Sequence, residues 1–340
     1  MRKITPPLAF LSLALLAACQ TLASESLAGS RPDIIFVLTD DQGMGDLSAM
    51  GNPVLKTPQI NRLYDQSTRF TDFQVSSTCA PTRAALMSGR HPFEVAVTHT
   101  IAQRERMALA VKTLPETLQK AGYRTGLFGK WHLGDGPRYL PQNWGFDEVL
   151  MHGAGGIGQT QYGDFPINEE NRYFENTLLH NDTVVKTEGF CTDLFFEAAL
   201  SWIEKQRDAD QPYFAYISLN APHGPMIASE SYKKRFLEMG YDDETAARYG
   251  MIENIDDNFG RMMAKLSEWG ALENTLVIFM TDNGMSRMEL IRQDGTTEPA
   301  FNAGLRGGKV SPHEGGTRVP SFWYWKGRIP AGVDVDALTA

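Results

Sequence analysis

Four short apolar runs, spread along most of the chain, constrain its fold more than any other feature. The first, Ile34 to Thr39, is almost continuously apolar and rich in β-forming residues, as expected for a strand that is covered on both faces. The other runs are residues 123–128, 213–219 and 275–280. Because helical segments separate the runs, the sequence predicts an α/β fold with a doubly wound, mainly parallel central sheet.

The helical segments carry recognisable patterns. In the helix predicted at 113–120, Thr113 is the cap and Pro115 lies in the first turn. A long helix is predicted at 245–269, and its inner face consists of Tyr249, Ile252, Ile255, Phe259, Met262, Met263 and Leu266. Shorter helices are predicted at 57–64, 82–88 and 191–206, and a further strand at 68–73.

Residues 134–188 lack strong periodicity and are rich in glycine, asparagine, aspartate and tyrosine. Loops of this length usually have a function, so we interpret the stretch as an insertion that sets specificity. Its candidate contact residues are Arg138, Gln142, Asn143, Gln161, Tyr162, Asp164 and Arg172. For any single one of them, a solvated loop position stays the simpler alternative.

Oxygen-bearing side chains directly follow two of the apolar runs. Asp40 and Asp41 follow the first run, and Asp282 and Asn283 follow the last. The carboxyl ends of parallel strands meet at one edge of the sheet, so we expect these side chains to lie together. An all-oxygen set suits Ca²⁺ or Mg²⁺ and does not suit zinc. Taken singly, each pair is also a common turn signal.

Basic and imidazole side chains are predicted at the same edge. Lys130 and His132 follow the second run, and in an extended stretch their spacing would point them the same way. His223 follows the third run, and Lys309 follows two glycines. With Arg83, these groups would form a cationic pocket beside a metal, which suits sulfate or phosphate. The chain as a whole carries a formal charge of -9, which argues against a nucleic-acid partner.

Cys79 lies just before a predicted helix, within the stretch Ser77 to Arg90. A disulfide with Cys191 is one interpretation, but Cys191 opens an apolar helical segment and is predicted to be a buried small hydrophobic residue. A thiolate is a soft ligand that fits a hard oxygen site poorly. A nucleophile that coordinates this metal is therefore expected to present oxygen.

The pattern Cys79-x-Pro81-x-Arg83, followed by Ser88-Gly89-Arg90, resembles the signature of type I sulfatases, in which the cysteine is oxidised to formylglycine. The resemblance continues through motifs at 40–43, 129–132, 221–223, 281–284, 308–309 and 314–320. The general pattern is similar to that of bacterial arylsulfatases acting on sulfated sugars. It implies an alkaline-phosphatase/sulfatase-like fold, whose smaller C-terminal subdomain is expected to be missing here.

The resemblance also implies a metal centre. Its Ca²⁺ ligands would be Asp40, Asp41, Cys79 as formylglycine, Asp282 and Asn283. One hydroxyl of the hydrated aldehyde would attack the sulfur atom of the ester.

Five further residues receive implied catalytic roles from the resemblance. Arg83 would stabilise and orient the nucleophile, and Lys130 and Lys309 would bind sulfate oxygens. His223 with Lys309 would assist the leaving alcohol. His132 would take a proton from the second hydroxyl, so that the aldehyde reforms and sulfate leaves.

The N-terminus is predicted to be a lipoprotein signal peptide at 1–18, with a basic start and an apolar run too short to span a bilayer. Small residues precede Cys19, as in a lipobox, so Cys19 is expected to carry a lipid. An ordinary signal peptide with a later cleavage site is the alternative. A tether at 19–31 and a sulfatase catalytic domain at 32–340, truncated at its C-terminus, complete the predicted organisation.

These expectations combine into one function and two alternatives. We expect an exported, periplasmic or outer-membrane lipoprotein of a Gram-negative bacterium that removes sulfate from a sulfated carbohydrate or an aryl sulfate. A formylglycine-generating or sulfatase-maturing enzyme would first modify Cys79. The alternatives are a phosphodiesterase or phosphonate monoester hydrolase on the same scaffold, and a non-catalytic surface lipoprotein that binds sulfated glycans. The lysine-rich, single-metal pattern favours the sulfatase over the phosphodiesterase.

Overall fold

A computed structural model describes residues 27–101, 103–157, 159 and 173–340. The helices are α1 (Pro58–Gln66), α2 (Cys79–Ser88), α3 (Leu114–Lys120), α4 (Cys191–Asp208), α5 (Glu230–Glu238), α6 (Asp243–Glu268) and α7 (Glu314–Thr317). The strands are β1 (Asp33–Thr39), β2 (Thr68–Phe70), β3 (Phe73–Gln74), β4 (Arg124–Lys130), β5 (Glu148–His152), β6 (Thr177–His180), β7 (Thr183–Lys186), β8 (Tyr213–Ser218), β9 (Thr275–Thr281), β10 (Glu289–Ile291), β11 (Thr297–Pro299), β12 (Arg318–Val319), β13 (Ser321–Tyr324) and β14 (Val333–Val335).

Some predictions concern residues outside these ranges. The signal peptide and the lipid-bearing Cys19 lie outside the described residues, as do Gln161, Tyr162, Asp164 and Arg172. Within the ranges that the structure covers, every helix is too short or too polar to cross a membrane.

The central sheet has ten strands in the order β14-β2-β13-β9-β1-β8-β4-β5-β6-β7. The five strands from β9 to β5 are parallel to one another. Antiparallel strands extend the sheet on both sides, β13 next to β9 and the hairpin β6–β7 next to β5. This topology confirms the predicted α/β class with a mainly parallel central sheet.

Alternate side chains of β1 pack on opposite faces of the sheet. Ile35 and Val37 belong to a core that includes residues of α1, α4 and α6. Phe36 and Leu38 belong to a second core, which includes residues of α2. Because both faces are covered, the strand contains the nearly continuous apolar run from which it was predicted.

Most element ends agree with the sequence predictions within two or three residues, which is the usual scatter. The helix predicted at 82–88 begins at Cys79, so the cysteine is the first helical residue and does not precede the helix. The strand predicted at 68–73 is interrupted and forms β2 and β3. On α6, the predicted inner face is buried except for Met263, which is partly exposed.

The interpretation of residues 134–188 as a loop insertion is wrong at three segments of the stretch, which form strands. It contains β5, β6 and β7, which continue the central sheet beyond β4. The hairpin β6–β7 consists of four-residue strands at the sheet edge, and strands this short give little periodicity to detect.

Candidate active site

The predicted oxygen ligands meet at the carboxyl edge of the sheet. Asp40 and Asp41 follow β1, and Asp282 follows β9 on the neighbouring strand. One potential ligand atom from each of Asp40, Asp41, Cys79 and Asp282 lies within 4.8 Å of the others, and all four residues are buried. Asn283 joins them, since its Nδ2 donates to Asp41 Oδ1 at 2.9 Å. The expected convergence of these strand ends is therefore observed.

Backbone hydrogen bonds fix the two acidic turns. The N–H of Asp282 donates to Thr39 O at 3.0 Å, and the N–H of Asp40 donates to Ala221 O at 3.1 Å. Asp41 has a φ of 64°, a left-handed conformation that aspartate tolerates better than most residues. Its N–H donates to Asp282 Oδ1 at 3.2 Å, so the turn after β1 is tied to the turn after β9.

Arg83 lies within the cluster, with its side chain 1% exposed. Its Nε and Nη2 donate to Asp282 Oδ2 at 3.0 and 2.8 Å, and its Nη1 donates to Ser218 Oγ at 2.5 Å. Burial lowers the pKa of Arg83, but the charge of Asp282 outweighs this effect and keeps it above its usual value. Ser218 also donates to Lys130 O at 2.7 Å. Sequence reasoning missed Ser218, although a polar residue near the end of a buried strand was a visible signal.

Each of two lysines pairs with one of the two consecutive aspartates. Lys130 Nζ lies 2.6 Å from Asp40 Oδ2, and both side chains are fully buried. Lys309 Nζ lies 2.7 Å from Asp41 Oδ1. Burial raises the pKa of Asp40, but the cations around it, Lys130 first, hold it well below its usual range. Asp40 is therefore ionised, and the carboxylates fix both ammonium groups in place.

The oxygen cluster fits a divalent cation. Asp40 Oδ1 and Asn283 Oδ1 are buried and accept no hydrogen bond from any group that the structure describes. Burial and the charge of Asp40 raise the pKa of Asp282 to about 7, because carboxylates at this spacing repel one another. A cation held by Asp40, Asp41, Asp282 and Asn283 would coordinate the unpaired oxygens and offset that repulsion. The oxygen-only set suits Ca²⁺ or Mg²⁺.

Cys79 faces this cluster from the first position of α2. Its Sγ lies 4.0 Å from Asp41 Oδ1, and the residue is 1% exposed. Burial and the charge of Asp40 raise the pKa of the Cys79 thiol, so these neighbours do not activate sulfur as a nucleophile. Cys79 and Cys191 are both free thiols. The alternative in which they form a disulfide is therefore wrong.

His132 does not have the extended geometry that its spacing from Lys130 suggested. Strand β4 ends at Lys130, and His132 has a φ of 61°, so strand alternation does not set its direction. Its Nε2 lies 2.8 Å from Thr100 O. Since a carbonyl only accepts, Nε2 carries the proton and Nδ1 keeps a free lone pair, with no partner among the described groups. Burial and Lys130 hold the pKa of His132 well below its usual value, so the ring is a neutral base.

His223 and Lys309 mark the opening of the cluster. Their side chains are 16% and 19% exposed, whereas the other site residues are nearly inaccessible. His223 Nδ1 donates to Gly224 O at 2.7 Å, and its Nε2 lies 3.8 Å from Asp41 Oδ2. A ligand that enters the cluster would therefore meet this histidine and this lysine first.

A glycine-rich stretch after β5 packs against both histidines and was missed by sequence reasoning. A Cβ added to Gly155 would stand 2.3 Å from His132 Nε2, and one added to Gly156 would stand 2.9 Å from His223 Cε1. Contacts this short leave no room for a side chain. His152, directly before this stretch, is the sheet partner of Lys130. The sequence signal that could have identified this stretch is His152 followed by three glycines in the next four residues.

The predicted specificity residues that the structure describes do not converge on the cluster. Gln142 Nε2 donates to Asn181 O at 2.7 Å, and Asn143 Nδ2 donates to Pro137 O at 2.8 Å. Both side-chain amides therefore hydrogen-bond to backbone carbonyl groups. The side chain of Arg138 is exposed. For Gln142 and Asn143, a structural role explains the contacts.

Similarity to known proteins shows the family to which this chain belongs. The family described as Sulfatase matches residues 32–339. The chain belongs to the sulfatase family. It is 31% identical over 326 residues to N-acetylgalactosamine-6-sulfatase of Canis lupus familiaris, covering 88% of this chain and 58% of that protein. It is 31% identical over 338 residues to arylsulfatase A of Homo sapiens, covering 92% of this chain and 62% of that protein. This sulfatase-family chain thus spans about three fifths of these curated relatives.

A solved structure gives the same result for the fold. The crystal structure of Ps i-CgsB in complex with k-i-k-neocarrahexaose has a TM-score of 0.79 to this chain at 31% identity. The match covers 90% of this chain and 68% of that one. The sulfatase-like fold predicted from the motifs is confirmed.

His152 should make the stability of the protein depend on pH. Its Nδ1 donates to Gly153 O at 2.8 Å, and burial lowers its pKa from 6.5 to about 3. The folded state therefore binds the second proton, which charges the ring, less tightly than the unfolded state does. The stability of the folded state is lost as the pH falls below 6.5. One such group changes the free energy of unfolding by about 1.4 kcal/mol per pH unit in this window.

His152→Asn keeps a donor for Gly153 O but removes the titrating ring. We expect urea unfolding between pH 4 and pH 6.5 to show a shallower loss of stability in this variant than in the wild type. The same pH slope in both proteins would contradict the assignment.

Proposed function

We propose that this chain is a sulfuric ester hydrolase that removes sulfate from a sulfated carbohydrate or an aryl sulfate. The observation that carries the proposal is the buried oxygen cluster that faces Cys79 and is bordered by Arg83, Lys130 and Lys309. Fixed cations around an oxyanion position stabilise the charge of a transferring sulfuryl group. Membership of the sulfatase family supports the same reaction.

The proposed nucleophile is Cys79 after conversion to formylglycine by a formylglycine-generating or sulfatase-maturing enzyme. When present, the hydrated aldehyde supplies an oxygen nucleophile for attack on sulfur. Its support here is chemical: the surrounding ligand set prefers oxygen, and Cys79 is buried as a protonated thiol. Helix α2 holds the side chain of residue 79 against the turn that contains Asp41.

The proposed metal is Ca²⁺, with Mg²⁺ as the alternative, held by Asp40, Asp41, Asp282 and Asn283. A bound divalent cation would supply electrostatic stabilisation of negative charge on oxygen. Arg83 keeps Asp282 in position through two hydrogen bonds, so the cation site and the nucleophile helix are aligned by the same side chain.

The remaining steps are assigned to side chains at or beside the cluster. Lys130 and Lys309 are assigned to the sulfate oxygens, and the ion pairs that hold both ammonium groups beside the carboxylates support this assignment. His223 lies at the opening beside Lys309, and the two side chains are assigned to assist the departing alcohol. His132 is neutral with a free Nδ1, as a base needs to be. We assign to His132 the role of accepting the proton from the second hydroxyl of the hydrated aldehyde. Loss of this proton allows sulfate to leave.

The first test concerns the modification and the reaction together. Protein from a host with the maturing enzyme should be lighter by about 18 Da at Cys79, because a carbonyl oxygen replaces SH and H. It should hydrolyse 4-nitrophenyl sulfate and not 4-nitrophenyl phosphate. Cys79→Ala should lower sulfate turnover by at least about 10³-fold, because the nucleophile is lost.

Cys191→Ala is the matched control, since Cys191 is also a buried free thiol but lies outside the cluster. It should keep both the mass shift and the turnover. An unmodified Cys79 in an active enzyme would refute the proposed nucleophile. Preference for the phosphate substrate would favour the phosphodiesterase, and sulfated-glycan binding without turnover would favour the non-catalytic lipoprotein.

The metal can be tested without turnover. Ca²⁺ added to chelator-treated protein should raise the Tm by more than about 4 °C, because a ligand that binds only the folded state stabilises it. Asn283→Ala, which removes one unpaired oxygen, should reduce both the Tm shift and the calorimetric affinity for Ca²⁺. Equal shifts in the two proteins would exclude Asn283 as a ligand.

We also propose that the chain is exported and held at a membrane by a lipid on Cys19. The support is the sequence before Cys19, with its basic start, apolar run and small residues. In cell fractionation, the wild type should sediment with membranes and Cys19→Ser should not. A soluble wild-type protein would contradict the lipid anchor.

A further inference from the structure

Val310 combines a β-branched side chain with a left-handed backbone. Its φ is 63°, and it is the one β-branched residue with a positive φ in the ranges that the structure describes. A branched side chain is a genuine outlier in this region, whereas glycine and asparagine adopt it with less strain. Such strain persists only where the surroundings hold it, and it is concentrated at functional sites. The backbone conformation therefore does not explain why this residue is a valine.

Packing within the chain does not explain the valine either. Its side chain is 74% exposed, the highest value for a large apolar residue in the described part of the chain. Apolar groups stabilise a fold in proportion to the area that they remove from water, and this side chain removes little. The two methyl groups of Val310 are therefore available to a molecule from outside the chain.

Hydrogen bonds hold Val310 beside the active site. Its N–H donates to Ser77 O at 2.8 Å, and Ser77 lies two residues before Cys79. The N–H of Lys309 donates to Met285 O at 2.9 Å. The loop that contains Val310 is thus fixed both to the stretch before the nucleophile helix and to the loop after β9. These bonds hold the strained backbone in place.

The residue before Val310 reaches the reacting centre. Lys309 Nζ lies 2.7 Å from Asp41 Oδ1, and Cys79 Sγ lies 4.0 Å from the same oxygen. Val310 is therefore separated from the cluster by the length of one lysine side chain. It lies on the side where Lys309 and His223 are partly exposed. An ester whose sulfate lies among the cations would extend its alcohol through this opening, next to Val310.

We propose that Val310 is a specificity residue that contacts the leaving alcohol of the sulfate ester through its methyl groups. This inference rests on the proposed sulfatase function, and it names the chemistry of the leaving group at the contact. That chemistry is an apolar face, either an aromatic ring or the C–H face of a sugar ring. Because the contact forms only when an ester is bound, it accounts for a side chain that is exposed and strained in the free protein.

Two variants separate the side chain of Val310 from its backbone. Val310→Thr keeps the branched shape and the strained backbone, and it replaces one methyl group with a hydroxyl. Val310→Asn removes both methyl groups and adopts the left-handed region more readily. Val184→Thr is the matched control, because Val184 is an exposed valine on the edge strand β7.

The esters are 4-nitrophenyl sulfate and galactose 6-sulfate, which present an aromatic ring and a sugar ring. Val310→Thr should lower kcat/KM by about fourfold or more for one or both esters, because it loses a methyl contact. The ester that is affected identifies the kind of apolar face. Inorganic sulfate has no leaving group, so its Ki as a competitive inhibitor should not change. Val184→Thr should keep the wild-type kcat/KM.

The asparagine variant should change stability and activity in opposite directions. Relief of the backbone strain should raise the Tm of Val310→Asn by about 2 °C or more. Loss of both methyl groups should lower kcat/KM for the same ester at least as much as Val310→Thr does. A purely structural role predicts instead that Tm and kcat/KM fall together.

The outcomes separate this inference from the proposed function. An unchanged kcat/KM in Val310→Thr for every ester that the wild type hydrolyses overturns the contact, as does an equal fall in Val184→Thr. A weaker Ki for sulfate also overturns it, because the substitution would then act by displacing Lys309. In all three cases, wild-type hydrolysis of a sulfate ester leaves the proposed function intact. A matured wild type that hydrolyses no sulfate ester refutes the proposed function, and this inference with it.

Discussion

Three buried carboxylates at one sheet edge, each held by one cation, are the interaction on which the rest of the site depends. Asp40 pairs with Lys130, Asp41 with Lys309, and Asp282 with Arg83. A buried ion pair contributes little net stability, but removing one partner leaves an uncompensated charge that costs about 3–5 kcal/mol. The three pairs must therefore be present together, and they fix both lysines and the arginine before any ligand binds.

The sheet explains why these pairs can form at all. Residues far apart in sequence meet because β1, β9, β8 and β4 are parallel neighbours and end at the same edge. The same arrangement made much of the site predictable: a buried parallel strand has a nearly continuous apolar sequence, and its last residues can be located from that run. The acids, Lys130 and the histidines that follow these strands were found in this way, whereas Lys309 was found from the two glycines before it and the motifs shared with sulfatases.

Other parts of the site were not predictable because their signal is not local. The left-handed backbone of His132 depends on the packing around it and is not encoded by the residue type. The same holds for Ser218, whose importance appears only once Arg83 lies beside it. The strands β5 to β7 were missed because their sequences are short and irregular. Gly155 and Gly156 are informative only when the positions of the two histidines are known.

The shared contact of Gly155 and Gly156 with the histidines has a consequence for redesign. His132 and His223 are assigned to different steps, yet they pack against two consecutive residues, Gly155 and Gly156. A shift of this short segment would move both histidines and so change the two steps together. A substitution in the segment therefore cannot alter the position of one histidine without altering that of the other. Exchange of the segment that follows, as a way to alter specificity, would therefore have to begin after Gly156 and preserve the path of the chain through it.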